Sequence, residues 1–159
     1  MEDKVKSYTV EEAKARLEAY CAYQERCHKE VVTKLRSMGM IPLAIDEIVV
    51  HLIKYGFLNE ERFAKSFVRG KFRAKKWGRV RIVRELKMRG LSDFTIEAGL
   101  EELDEEEYLE ALDTLAEKKQ ATIKEKNIYK AKVKLANYLL YRGWESDLVY
   151  DKINELYEE

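Results

Sequence analysis

The chain has 159 residues, with 30 Lys and Arg against 30 Asp and Glu, so its formal net charge is zero. Apolar residues make up 46% of it, too many for a disordered chain, and no run approaches the roughly 18 apolar residues of a membrane span. The start, Met1 to Lys6, lacks an apolar leader, and Cys21 and Cys27 would sit about 9 Å apart along a shared helix, too far to bridge, so a cytoplasmic chain is expected.

Ala, Leu, Glu, Lys and Arg dominate, and Val and Ile never alternate cleanly, which predicts an all-α fold. The first helix is expected over 10–25, opened by Thr9 and Glu12, which can satisfy each other's backbone donors. Helices over 29–38 and 44–55 follow. A fourth, over 60–76, starts after Asn59, a good N-cap, and carries Phe63, Phe67 and Val68. Helices over 79–89 and 93–103 come next. A seventh, over 105–121, carries Tyr108, Leu112 and Leu115. A longer polar connection around Gln120 to Asn127 leads to the last two, over 127–141 and 146–157.

Three helix-stopping glycines, Gly39, Gly90 and Gly143, divide this series at spacings of 51 and 53 residues. Apolar residues recur at fixed offsets from them. Eight before lie Val31, Ile82 and Leu135, and four before lie Leu35, Leu86 and Leu139. One after lie Met40, Leu91 and Trp144, and six after lie Ile45, Ile96 and Val149. Ten after lie Val49, Leu100 and Ile153, and thirteen after lie Leu52, Leu103 and Leu156. Steps of three and four put these residues on one helix face, and a glycine that tolerates positive φ ends the helix between them. The pattern predicts three tandem three-helix repeats, 1–58, 59–103 and 104–159, stacked as an elongated, curved array.

The zero net charge is a sum over strongly charged blocks. Residues 62–90 hold twelve bases and one acid, Glu85, whereas residues 91–117 hold eleven acids and no base. Residues 118–142 hold eight bases and one acid, Glu125. Arg62, Lys65, Arg69, Arg73 and Lys76 recur at helical spacing, and Arg81, Arg84, Lys87 and Arg89 flank Ile82 and Leu86. Trp77 and Gly78 stand at the bend between the two helices. Such a ridge suits phosphate backbones or an acidic protein groove. It could equally pair with the acidic helices of 91–117 inside the fold.

Recognisable catalytic or cofactor chemistry is lacking. There is no phosphate-binding glycine loop and no HExxH. Cys27 beside His28 is not completed by a second ligand pair, and His51 is remote, so no metal or other cofactor and no enzyme activity are expected. Tyr20, Tyr23, Tyr138 and Tyr141 are expected to pack in the core or between repeats rather than to stack on bases.

The segment Leu52-Ile53-Lys54-Tyr55-Gly56-Phe57-Leu58-Asn59-Glu60-Glu61-Arg62-Phe63-Ala64 resembles a signature of the RecX regulatory proteins: a helix end, Gly-aromatic-Leu-Asp-Asp, and a basic residue before Phe-Ala. Gly78 to Leu91, GRVRIVRELKMRGL, is similar to the family's second motif, and Leu139-Leu140-Tyr141-Arg142-Gly143-Trp144 to its third. The resemblance spans nearly the whole chain. It implies three three-helix repeats and a monomeric bacterial protein that binds the RecA recombinase filament. Family members usually inhibit RecA by lodging in the filament groove, which suppresses ATP hydrolysis and strand exchange, and some bind DNA. Asn59-Glu60 replaces the family's Asp pair, and His28 lies where a serine often opens the second helix.

The expected partner-binding residues are Arg69, Arg73, Lys76, Arg79, Arg81 and Arg84, with Lys130, Lys132 and Lys134 as a second patch. Through them the chain would meet the RecA filament, single- or double-stranded DNA, or both, with no membrane involved. Two other readings remain open: a stand-alone DNA-binding helix-turn-helix module, and an adaptor bound through apolar repeat surfaces.

Overall fold

A computed structural model describes residues 7–158; the stretch 1–6, where the absence of an apolar leader was expected, lies outside them. The described residues form nine α-helices and no strand: α1 (Val10–Tyr23), α2 (His28–Ser37), α3 (Pro42–Lys54), α4 (Glu60–Lys75), α5 (Arg79–Met88), α6 (Asp93–Leu100), α7 (Glu105–Thr122), α8 (Ile128–Tyr141) and α9 (Ser146–Leu156). Helices pack chiefly within three consecutive triplets, α1–α3, α4–α6 and α7–α9, referred to below as the first, second and third units. The 18.8 kDa chain exposes 10528 Å². A compact globule of that mass would expose about 8,300 Å², so the surface is that of an elongated tandem array.

The glycine register holds in atomic detail. Gly39, Gly90 and Gly143 have φ of 80°, 80° and 91°. At each, the following residue donates its amide back to the carbonyl five positions earlier: Met40 to Leu35 at 3.1 Å, Leu91 to Leu86 at 3.3 Å, Trp144 to Leu139 at 3.3 Å. These are Schellman caps, and they satisfy helix-end carbonyls that would otherwise be orphaned. Gly56 (φ 78°) makes a fourth, with Phe57 donating to Leu52 at 2.8 Å. Of the eighteen repeat positions, fourteen are buried, and Met40, Leu100, Leu103 and Leu156 pack half-buried against the cores.

The remaining boundaries follow local chemistry. Thr9 and Glu12 form the expected capping box, with bonds of 3.1 and 3.2 Å. Asn59 caps α4 by accepting from Arg62 N at 2.9 Å, so the family's Asp is not needed for that bond. α3 starts two residues earlier than expected because Pro42 takes the first turn, where its missing N–H is no loss. α6 ends three residues earlier, at Leu100. Buried Gly99 lets it lie so close to α4 that an added Cβ would stand 3.0 Å from Ala64 Cβ. Cys21 and Cys27 do not share a helix as supposed: Cys21 is in α1, and Cys27 precedes α2 as its N-cap. Both are buried free thiols, and burial pushes Cys27 up to about 11, so neither is a reactive thiolate.

The apolar interior is divided in two. One core gathers Leu17, Val31, Leu35, Ile48 and Leu52 within the first unit. The other runs through the second and third units without a break, joining Val68, Phe72, Ile82 and Leu86 to Tyr108, Leu135, Leu139 and Trp144. Cys27 is the one buried residue of the first unit to reach it among the described residues.

Candidate functional site

The basic block forms its site where the second and third units meet, and two glycines create that meeting. A helix start leaves amide donors free and carries positive partial charge; a helix end leaves carbonyls free and carries negative. Here the end of α8 supplies both needs of the start of α5. Gly78 N donates to Arg142 O, and Val80 N to Gly143 O, each at 2.9 Å. A Cβ on Gly78 would run into the Gly143 carbonyl, and one on Gly143 into Arg81. Arg142 and Trp144 turn the other way and cap α4: Arg142 donates to Lys75 O at 2.8 Å, and Trp144 Nε1 to Lys76 O at 3.1 Å.

Beneath this backbone contact lies a polar triad built on a buried tyrosine. Tyr108, fully buried, accepts from Arg79 N at 2.9 Å and donates to Glu145. The Arg79 guanidinium lies over the Tyr108 ring at 3.9 Å and pairs with Glu145 and Glu105. Burial, then the bond to Glu145, raises the tyrosine pKa far above its usual value, so the phenol keeps its proton. Arg79 was expected to face a partner; it is instead held inside the junction.

The rest of the ridge splits along its length. At its start, Arg62 pairs with Glu25 at 2.5 Å, Lys65 with Glu61 at 3.0 Å and Arg69 with Glu102 at 3.3 Å. Further along, Arg73 and Arg84 are exposed and have no ion-pair partner among the described residues. Lys76 is exposed over the Phe72 ring, 5.6 Å from its centroid; it lines a cleft with Glu107 and Glu110 but makes no ion pair within 4 Å among the described residues. Of the twelve bases in 62–90, only Arg69, Arg79 and Lys87 pair with an acid of 91–117, the last at 4.0 Å. Internal neutralisation therefore does not account for the block. In the second patch, Lys134 pairs with Glu125 at 3.7 Å, while exposed Lys130 and half-buried Lys132 have no such partner among the described residues.

Arg81 ties the ridge to the third unit. Its guanidinium lies 4.2 Å from the Trp77 centroid and 5.3 Å from that of Tyr141. Lys71 approaches Trp77 from the other helix at 5.2 Å. Tyr141 is 76% exposed and Tyr23 82%, so the expectation that both are packing residues fails. Tyr20 and Tyr138 are half-buried beneath Arg26 and Arg142. Buried Lys152, which sequence reading passed over, lies 3.3 Å from Asp113, 3.6 Å from Glu117 and 3.5 Å from Glu155, tying α9 to α7. It is the single base in an otherwise acidic segment, 143–159, and that isolation was its signal.

With this geometry in place, comparison with known proteins is informative. A family model for the second three-helix domain of RecX matches residues 59–100, and one for the third three-helix domain matches residues 105–153. The chain belongs to the RecX family. The Regulatory protein RecX of Bacillus mycoides is 30% identical over 154 residues, covering 96% of this chain and 57% of its own length. That of Clostridium acetobutylicum is 30% identical over 151 residues, covering 92% and 70%. The chain thus spans little more than half the length of its Bacillus relatives.

The crystal structure of RecX from Lactobacillus salivarius superposes with a TM-score of 0.81 at 28% identity, over 92% of this chain and 96% of that one. A crystal structure titled regulatory protein RecX, 21% identical, shares the fold with a TM-score of 0.78 over 92% of this chain and 73% of that one. The three RecX-like segments all fall at junctions between units. Gly56 and Phe57 accept from Arg62, at 2.9 and 3.3 Å, while the second and third segments meet at Gly78 and Gly143.

Proposed function

We propose that this RecX family member is a non-enzymatic regulator of recombination and repair in the bacterial cytoplasm. It binds the RecA recombinase filament and restrains its ATPase, strand exchange and growth. The observation that carries this reading is the row of unneutralised cations. In a chain of zero net charge, Arg73, Lys76, Arg84, Lys130 and Lys132 make no ion pair among the described residues. Surface ion pairs contribute only about 0–1 kcal/mol each, so folding gives little reason to segregate so much charge. A filament groove that offers acidic protein surface or the phosphates of a bound strand does give one. The second and third units, joined by one continuous core and by two backbone hydrogen bonds, carry the cations along an elongated body. The relatives' shared name, regulatory protein, supports the same reading.

The test adds the protein to preformed filaments of recombinase on single-stranded DNA. The expected outcome is loss of ATP hydrolysis and strand exchange at stoichiometric protein. A combined Arg73→Glu, Lys76→Glu and Arg84→Glu variant, at positions that make no ion pair among the described residues, should restore both. Unchanged activity with the wild-type protein contradicts the reading.

A further inference from the structure

Six side chains from α4, α5, α8 and the α4–α5 connection form a single alternating row at the junction of the second and third units. Arg89 lies 4.8 Å from the Phe67 centroid, and Lys71 lies 5.5 Å from Phe67 and 5.2 Å from Trp77. Arg81 lies 4.2 Å from Trp77 and 5.3 Å from Tyr141. Phe67 and Trp77 are themselves 6.4 Å apart and tilted. The order is therefore Arg89, Phe67, Lys71, Trp77, Arg81, Tyr141: cation and ring by turns. Among the described residues, only Arg89 of the three cations has a carboxylate partner, Glu85 at 3.0 Å.

We infer that this row is a stacking platform for the unpaired bases of single-stranded nucleic acid. An acidic protein surface would need the charges alone and would gain nothing from rings set between them. A single strand offers both complements, since its phosphates take the cations and every base has a π face for an aromatic ring or a guanidinium plane. A duplex keeps its base faces stacked inside and can use only the cations. The most open ring fits the part: Tyr141 is 76% exposed, and Arg81 lies against only one side of it. The rings are pre-set, because Arg81 and Lys71 hold Trp77 between two helices whose ends are fixed by the Gly78–Gly143 contact. The inference deepens the proposed function by naming the strand, not just its phosphates, as a ligand of this face.

The experiment uses the full chain with a dT oligonucleotide and a duplex of equal length, without recombinase. Trp144 is 1% exposed, so quenching of tryptophan emission on binding reports Trp77. The oligonucleotide should quench that emission and bind more tightly than the duplex. Tyr141→Ala should weaken oligonucleotide binding about 5- to 50-fold at an unchanged log–log salt slope, and Tyr141→Phe should retain it. Arg81→Ala should lower the slope by about 0.7, one phosphate on a single strand. Exposed Tyr141 has no core contact to lose, so a fold defect cannot mimic this result. Absence of quenching, or full affinity in Tyr141→Ala, overturns the inference. So does equal loss of duplex and single-strand binding. A protein that ignores oligonucleotides yet still arrests the recombinase overturns the platform and leaves the proposed function standing; oligonucleotide binding without arrest does the reverse.

Discussion

Between the second and third units the main chains themselves touch, whereas the first unit meets the second through side chains, buried Cys27 among them, and clefts. The Gly78–Gly143 contact threads two backbone hydrogen bonds across the later junction and buries Tyr108 and Trp144 beneath it. At the earlier junction no main-chain to main-chain bond crosses among the described residues. Arg62 reaches Glu25, Lys29 Nζ donates to Met88 O at 3.0 Å, and His28 N donates to Glu60 at 3.5 Å. Clefts of about 510 and 580 Å³, sharing Lys29, Thr33 and Arg89 in their walls, lie along it. A smaller one, about 300 Å³, separates α4 from α7 at the later junction. One repeat pattern has thus produced a fused pair and a more loosely attached neighbour. The comparison teaches that a repeat unit's own core and its junctions are specified by different residues.

The largest expected effect contrasts the same repeat position at two places. Gly143→Ala places a Cβ against Arg81 and forces a positive φ, so it should cost at least about 3 kcal/mol of unfolding free energy. Gly39→Ala meets open space and should cost only the left-handed backbone penalty, about 1–2 kcal/mol. Denaturant titration of both variants checks the difference. Equal costs would mean that the later junction is not tightly fitted.

Tyr108→Phe comes next. It removes the phenol's bonds to Glu145 and to the Arg79 amide, for a loss of about 1–3 kcal/mol. The alkaline side gives a separate reading. Cys27 titrates at about 11 in the folded chain against an ordinary value of 9.0. A raised pKa gives stability that is fully present below about pH 9 and is lost as pH climbs towards 11. Stability measured from pH 8 to 11 should fall through that window, and Cys27→Ala should flatten the fall. The smallest effect is Arg62→Ala at the earlier junction. Its pair with Glu25 is partly exposed, and the loss should stay near 1 kcal/mol in thermal or denaturant unfolding.

Most of the fold was legible because helix stops and apolar steps are local. Gly39, Gly90 and Gly143 carried the repeat, and helix ends fell within three residues of their expected places. Gly56 escaped the alignment because it ends the last helix of a unit rather than the second. Pro42, a first-turn proline, could have placed the start of α3. The junctions were not legible. Gly78 and Gly143 are 65 residues apart, and neither has a side chain to betray the contact. Arg79 reads as one more ridge cation, since its partners Glu145 and Glu105 come from another unit. The unneutralised character of Arg73 and Arg84 is likewise a matter of which acids the fold brings near. Composition showed the block, and only the structure separates its free cations from its committed ones.

Native-state hydrogen exchange tests the central contrast most directly, because it reads the opening free energy of each helix separately. Hydrogen-bonded amides of α4 to α9, together with the junction amides of Gly78 and Val80, should share one high opening free energy and be released together. Those of α1 to α3 should open at a distinctly lower one. A single common value for all nine helices, or first-unit amides that outlast those of the second and third, would contradict the division into a fused pair and a loosely attached unit.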